Sequence, residues 1–124
     1  MACQGSFVSG NTIIDATDGG IVIFGAPGSI ITNNTIISND RVLMGGINMV
    51  DTAPFSSSFA GVVVSNNLLI ANSTMMKVGI AMGTLVWSSY NSPSFRTFGG
   101  LVTGNTLTSG STGYFGYGVL VFSL

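Results

Sequence analysis

Short aliphatic runs recur along the chain, and apolar and polar positions alternate within each run. Residues 7–14, 30–37, 62–70 and 101–108 align as FVSGNTII, IITNNTII, VVVSNNLLI and LVTGNTLT. Each segment carries an asparagine at the same place: Asn11, Asn34, Asn67 and Asn105. Between them lie GIVIF, GINMV, GIAMG and GVLVF, which begin at Gly20, Gly46, Gly79 and Gly118. The strict alternation of these two patterns predicts a fourfold repeat.

The runs are rich in β-branched residues and are bounded by Gly, Asn, Ser and Pro, which is typical of strands. Each repeat contains three runs: one ending at the Asn, one starting just after it and one starting at the Gly. Three short strands per turn of a coil indicate an all-β parallel solenoid of about four coils. A β-sandwich is the rival fold, but it does not account for the repeated Asn and Gly.

Alternation along the strands predicts which side chains point into the coil. The predicted inward positions are all aliphatic or Met: Val8, Ile13, Ile21, Ile23, Ile31, Ile36, Ile47, Met49, Val64, Leu69, Ile80, Met82, Val102, Leu107, Val119 and Val121. For the Asn column we expect a tight corner with left-handed backbone angles and side-chain hydrogen bonds that run along the column. A ligand-binding role for this column is the less favoured alternative.

The amino-acid composition limits the kinds of catalytic and binding site that the chain can form. The 124 residues include 3 Lys or Arg, 4 Asp or Glu and no His. A Ser-His-Asp triad and a His-ligated metal site are therefore excluded, and we expect no catalytic residues, no metal and no cofactor. The net charge of −1 gives no basic surface for nucleic acid. No apolar run is long enough to span a membrane, no signal peptide is recognisable, and Cys3 has no second Cys to pair with.

The repeated Gly-Ile-x-Met/Val and Asn-[TL]-[IL] patterns resemble the right-handed parallel β-helix proteins of the pectate-lyase-like superfamily. The resemblance covers nearly the whole chain and implies a carbohydrate-associated, extracellular protein with a polysaccharide as partner. Members include polysaccharide lyases and hydrolases, whose clustered carboxylates have no match in this sequence. We therefore expect a non-catalytic fragment with weak glycan binding; the alternatives are a lyase or hydrolase and a purely structural solenoid.

The chain also departs from that superfamily, whose enzymes have many more coils and begin with a capping helix. We expect residues 1–124 to form a single β-helix domain that is incomplete, and to self-associate through uncapped ends or missing flanking coils. Outward apolar rows, Phe7/Ile30/Val63 and Ile14/Ile37/Ile70, add to this expectation. Glycosylation sequons occur at Asn33 and Asn72.

Binding residues are predicted in two insertions, residues 51–60 and 84–99, because the coil spacing grows from 23 to 33 and then 38 residues. These insertions hold the candidate glycan contacts Trp87, Tyr90, Arg96 and Asp51, with Phe59 among their other aromatics. The alternative is that the aromatics fold back over the sheet as a satellite cluster.

A second candidate position is the corner that carries Asp18 and the Asp40–Arg41 pair. It offers a weak cation site or a surface ion pair. The favoured alternative is that these residues are ordinary turn formers, since a calcium site needs more carboxylates.

Overall fold

A computed structural model describes residues 1, 3–49, 58–83, 86–87 and 99–122. This part of the chain contains twelve strands and no helix. The first strands of the four coils are β1 (Phe7–Ser9), β4 (Ile30–Thr32), β7 (Val63–Ser65) and β10 (Leu101–Thr103). The second strands are β2 (Thr12–Ile14), β5 (Thr35–Ser38), β8 (Leu68–Ala71) and β11 (Thr106–Ser109). The third strands are β3 (Gly19–Ile23), β6 (Leu43–Met49), β9 (Met76–Met82) and β12 (Phe115–Val121).

Equivalent strands of successive coils form three four-stranded sheets, in the orders β1-β4-β7-β10, β2-β5-β8-β11 and β3-β6-β9-β12. Every pair is parallel, and the register repeats from coil to coil. Val8 lies beside Ile31, which lies beside Val64, which lies beside Val102. The predicted four-coil parallel solenoid with three strands per coil is confirmed, and the sandwich alternative is wrong.

The third strand starts earlier than predicted in coils two to four. In coil two it begins at Leu43, three residues before Gly46. Leu43 is fully buried and pairs with Met76 of the next coil, so the strand already contributes to the core before the glycine. The sequence pattern concealed this extension because the glycine interrupts the run of apolar side chains.

Fourteen of the sixteen predicted inward positions lie in the core or pack against it, and their burial depends on the coil. In inner coil two, Ile31, Ile36 and Ile47 are fully buried. In the last coil Val119 and Val121 are 53% and 63% exposed, although they pair in register with Ile80 and Met82. A coil buries its apolar side chains against neighbours on both sides, and the last coil has such a neighbour on one side only.

The outward apolar rows are present as predicted. Phe7, Ile30 and Leu101 are exposed, and Val63 of the same row is half-buried. In the next sheet Ile14 is exposed, whereas Ile37 and Ile70 are half-buried.

Two columns adopt left-handed backbone angles, and neither is the predicted one. Asp15, Gly25, Ala26 and Gly83 also have a positive φ but lie outside these columns. One column precedes the first sheet and consists of four glycines: Gly5, Gly28, Gly61 and Gly99. The other lies immediately before the Asn column: Gly10, Asn33, Asn66 and Gly104, with φ values of 71°, 54°, 54° and 63°. The expectation that the Asn column itself adopts these angles is wrong by one residue. The turn requires the left-handed residue first, and the following Asn is left free to hydrogen-bond between coils.

The glycine column has a steric origin. A Cβ on Gly46 would lie 2.7 Å from the carbonyl oxygen of Gly79, and one on Gly20 would lie 2.7 Å from that of Gly46. Backbone of the next coil therefore occupies the space that a side chain would need, and only glycine fits.

Candidate functional site

The Asn column forms a continuous hydrogen-bonded ladder. The Nδ2 of Asn34 donates to Oδ1 of Asn67 at 3.0 Å, and the backbone N–H of Asn34 donates to the same oxygen at 3.0 Å. Both interactions recur from Asn11 to Asn34 and from Asn67 to Asn105. Each inner Nδ2 also donates to a carbonyl oxygen of the preceding coil, as Asn34 does to Val8 at 3.0 Å. Asn34 and Asn67 are almost fully buried, so these amides satisfy a polar corner of the interior.

The next corner is organised by a carboxylate that the sequence analysis did not single out. Oδ1 of Asp15 accepts the backbone N–H groups of Asn39, Asp40 and Arg41 at 2.7, 2.9 and 3.2 Å. The bond from Asn39 is the main cause that holds the pKa of Asp15 below its usual range. Asp15 therefore fixes the turn of the neighbouring coil.

The same corner continues through amide and hydroxyl groups. Asn72 donates through Nδ2 to Oδ1 of Asn39 at 2.6 Å, and Thr74 donates through Oγ1 to the carbonyl of Arg41 at 2.6 Å. Asp18 contributes its backbone carbonyl, which accepts the N–H of Met44 at 3.0 Å. These contacts are those of turn-forming residues. Within the described ranges no group of three His, Cys, Asp or Glu side chains comes together.

The third sheet carries the one predicted binding residue that the structure describes. Trp87 is 38% exposed, and its indole N–H donates to Oδ1 of Asn48 at 3.0 Å. Asn48 is buried and lies on the outer row of the sheet, between Val22 and Ala81. The indole is thus tied at its polar edge while part of the ring remains accessible to solvent.

Glycines explain how Asn48 fits against the sheet. A Cβ on Gly45 would lie 2.1 Å from Oδ1 of Asn48, and a Cβ on Gly19 would lie 2.5 Å from its Nδ2. The paired glycines at 19–20 and 45–46 therefore serve two purposes. One glycine of each pair allows the coils to approach, and the other makes room for the Asn48 side chain.

A turn after β9 brings Trp87 over this sheet. Gly83 adopts a φ of 116°, and the N–H of Val86 donates to its carbonyl at 3.2 Å. A residue other than glycine would be strained at this φ. Gly83 and Val86 are thus hydrogen-bonded to each other beyond the end of β9, and Trp87 lies within hydrogen-bonding distance of coil two.

The other predicted contacts have different outcomes. Tyr90, Arg96 and Asp51 lie outside the described residues. Phe59 is fully buried in the main core, so it is neither an exposed candidate contact nor part of a satellite cluster over the sheet. The sequence pattern did not predict a role for Asn48. A signal was nevertheless present, because Asn48 is the polar member of a row otherwise occupied by Val22, Ala81 and Leu120.

Comparison with known proteins gives a family for the fold. Residues 1–123 match the family described as the right-handed β-helix region. The chain belongs to the right-handed β-helix family. Comparison with curated proteins finds no match, and comparison with solved structures finds none either. In the described residues of this right-handed β-helix protein, no helix has the length and hydropathy that a membrane crossing requires.

Proposed function

We propose that this β-helix is a non-catalytic, carbohydrate-associated segment that binds glycan weakly through Trp87, and that it acts outside the cell. The observation that carries the proposal is the tethered, partly exposed indole on the outer face of the third sheet. A sugar ring presents apolar C–H groups that pack on an aromatic face, and its hydroxyl rim suits neighbouring amide groups. Tyr90, Arg96 and Asp51 belong to the same proposal because they lie within the two insertions.

Anchoring the ring lowers the entropic cost of binding. A free Trp side chain would lose rotamer freedom on contact with a ligand, whereas the hydrogen bond to Asn48 restricts this one in advance. A single anchored ring still offers little contact area, so we expect a Kd in the millimolar range, about −4 kcal/mol. Affinity of biological use would then require several sites along a polysaccharide.

Intrinsic fluorescence provides a direct test, because Trp87 is the single tryptophan of the chain. Soluble pectic and other plant oligosaccharides are titrated to about 10 mM, a level above the expected Kd. We expect a saturable change in the emission of Trp87. In calorimetry, Trp87→Ala should abolish the binding heat, and Tyr114→Ala should leave it unchanged. Tyr114 is a matched control because it is an exposed aromatic remote in sequence from both insertions.

Three other results would contradict this proposal. No emission change up to the highest ligand concentration contradicts glycan binding at Trp87. Equal loss of binding in the Trp87→Ala and Tyr114→Ala variants means that aromatic surface in general, not this site, holds the sugar. Release of unsaturated or reducing ends from polysaccharide, abolished by Asp40→Ala, would favour the lyase or hydrolase alternative instead.

A further inference from the structure

The two end faces of the coil stack are formed by edge strands, and among their outer edges β3 carries backbone bonds to Met1. β1, β2 and β3 form one edge of the three sheets, and β10, β11 and β12 form the other. Because all strands are parallel, the two edges are not equivalent. One edge of a parallel sheet matches the opposite edge of an identical sheet in hydrogen-bond pattern, whereas it does not match itself in the same way.

The Asn ladder gives the two faces opposite chemical character. Each ladder Asn donates its backbone N–H to Oδ1 of the Asn in the following coil. At the first face, Oδ1 of Asn11 accepts no hydrogen bond from the described residues. At the last face, the N–H of Asn105 finds no acceptor among the described residues. One face thus presents an acceptor where the other presents a donor.

The open space above Gly118 is a second feature that suits the last face to contact with a further coil. A Cβ on Gly20, Gly46 or Gly79 would lie 2.5–2.7 Å from a glycine carbonyl of the following coil. A Cβ on Gly118 would meet nothing closer than Cδ2 of Leu107 at 3.5 Å, which is ordinary contact. Nothing in the described chain requires glycine at position 118, but a further coil stacked on this face would require it.

Met1 shows how the first face accepts a neighbour. Its amino group donates to the carbonyl of Val22, and its carbonyl accepts the N–H of Phe24 at 2.8 Å. These two bonds place Met1 beside Ile23 in the parallel pattern of the sheet. Met1 therefore occupies the position that a residue of a preceding coil would take, and the edge of β3 is competent for pairing.

We propose that a second copy of this chain stacks head to tail, with its first coil on the last coil of the other. Asn105 then donates its N–H to Oδ1 of Asn11 of the second copy, and the exposed Val119 and Val121 become buried. Val121 replaces Met1 of the second copy and makes the same two hydrogen bonds to β3. The net charge of −1 per chain gives little repulsion between copies. Because the contact joins two different faces, it continues from copy to copy as an open series.

Sedimentation velocity of the full chain from about 1 to 100 µM tests this proposal. We expect species larger than a dimer whose weight-average sedimentation coefficient rises with concentration. Gly118→Ala should weaken association at least about tenfold, because its Cβ would meet the Gly20 carbonyl of the second copy. Val42→Ala, on the exposed surface of inner coil two and away from both end faces, serves as the control and should associate as the unmodified chain does.

Circular dichroism distinguishes loss of association from loss of folding. Gly118→Ala should keep the parent's β-sheet spectrum, since the described chain has room for this methyl group. A parent that remains monomeric over the whole range overturns the proposal. An unmodified chain that forms only a closed dimer also overturns it. A folded Gly118→Ala variant that associates as strongly as the unmodified chain overturns it as well.

Discussion

At the residue scale, the ladder Asn residues replace the hydrogen bonds that a buried corner would otherwise lack. Asn34 bonds to both neighbouring coils: in coil one it accepts from Asn11 and donates to the carbonyl of Val8, and in coil three it donates to Asn67. A side-chain amide acts as both donor and acceptor at the same corner without carrying charge. The inner Asn residues are therefore structural, which agrees with the favoured interpretation of the sequence.

Replacing an inner ladder residue should cost far more than replacing an end one. Asn34→Ala removes the acceptor of the Asn11 N–H and the donors to the Val8 carbonyl and to Oδ1 of Asn67, and we expect a loss of about 3 kcal/mol in the free energy of unfolding. Asn11→Ala should cost only about 1 kcal/mol, since Oδ1 of Asn34 still accepts the N–H of residue 11. Urea denaturation of both variants checks this difference, and equal costs would contradict the ladder's role.

Asp15 should make the folded state sensitive to acid. Its pKa is lowered in the folded chain, above all by the N–H of Asn39, so the unfolded chain binds a proton first as pH falls. The stabilisation is complete above the unfolded pKa of about 3.9 and is lost as pH falls through the folded value. Asp15→Asn keeps an acceptor oxygen but should remove this part of the acid dependence.

Thermal unfolding between pH 7 and pH 3 measures that effect. Asp40→Asn is the control, because only the backbone N–H of residue 40 contacts Asp15 and the variant retains it. Identical loss of thermal stability in the parent and in Asp15→Asn would show that the carboxylate charge at this turn contributes nothing.

At the element scale, the columns depend on which positions have room for a side chain. Gly46→Ala places a methyl group 2.7 Å from a backbone oxygen that cannot move independently, and 2.4 Å from Leu69. We expect a loss of about 3 kcal/mol or failure to fold. Gly118→Ala, at the equivalent position of the last coil, should change stability by less than about 0.5 kcal/mol when measured on the monomer. Similar losses for the two variants would show that crowding between coils does not select glycine.

The sequence predicted the Asn and Gly columns because each residue is repeated at the same place in every coil. It did not predict the Trp87–Asn48 pair, which occurs once and joins residues 39 apart. Asp15 was missed for the same reason, since its partners lie 24 to 26 residues away. The left-handed residue was misplaced by one position because Asn33 and Asn34 are adjacent asparagines, and composition alone does not say which one turns the chain.

At the scale of the whole molecule, stability should follow position in the stack. Neighbouring coils supply nearly all strand pairs, so a solenoid behaves as a row of units coupled to their nearest neighbours. A coil with one neighbour opens more readily than a coil with two. The exposed Val119 and the buried Ile47 occupy equivalent inward positions and mark the two extremes.

Hydrogen exchange should therefore reveal a gradient along the chain. At concentrations where the chain is monomeric, we expect amides of β6 and β9 to exchange slowest and those of β10 to β12 fastest, because local opening of an end coil breaks pairing on one side only. Raising the concentration should then slow exchange in β10 to β12 selectively if the last coil is covered by the first coil of a second copy. In the Gly118→Ala variant the gradient should persist while its concentration dependence disappears. Uniform protection across the four coils would contradict nearest-neighbour coupling, since it would mean that the stack opens as one unit regardless of where its apolar side chains are exposed.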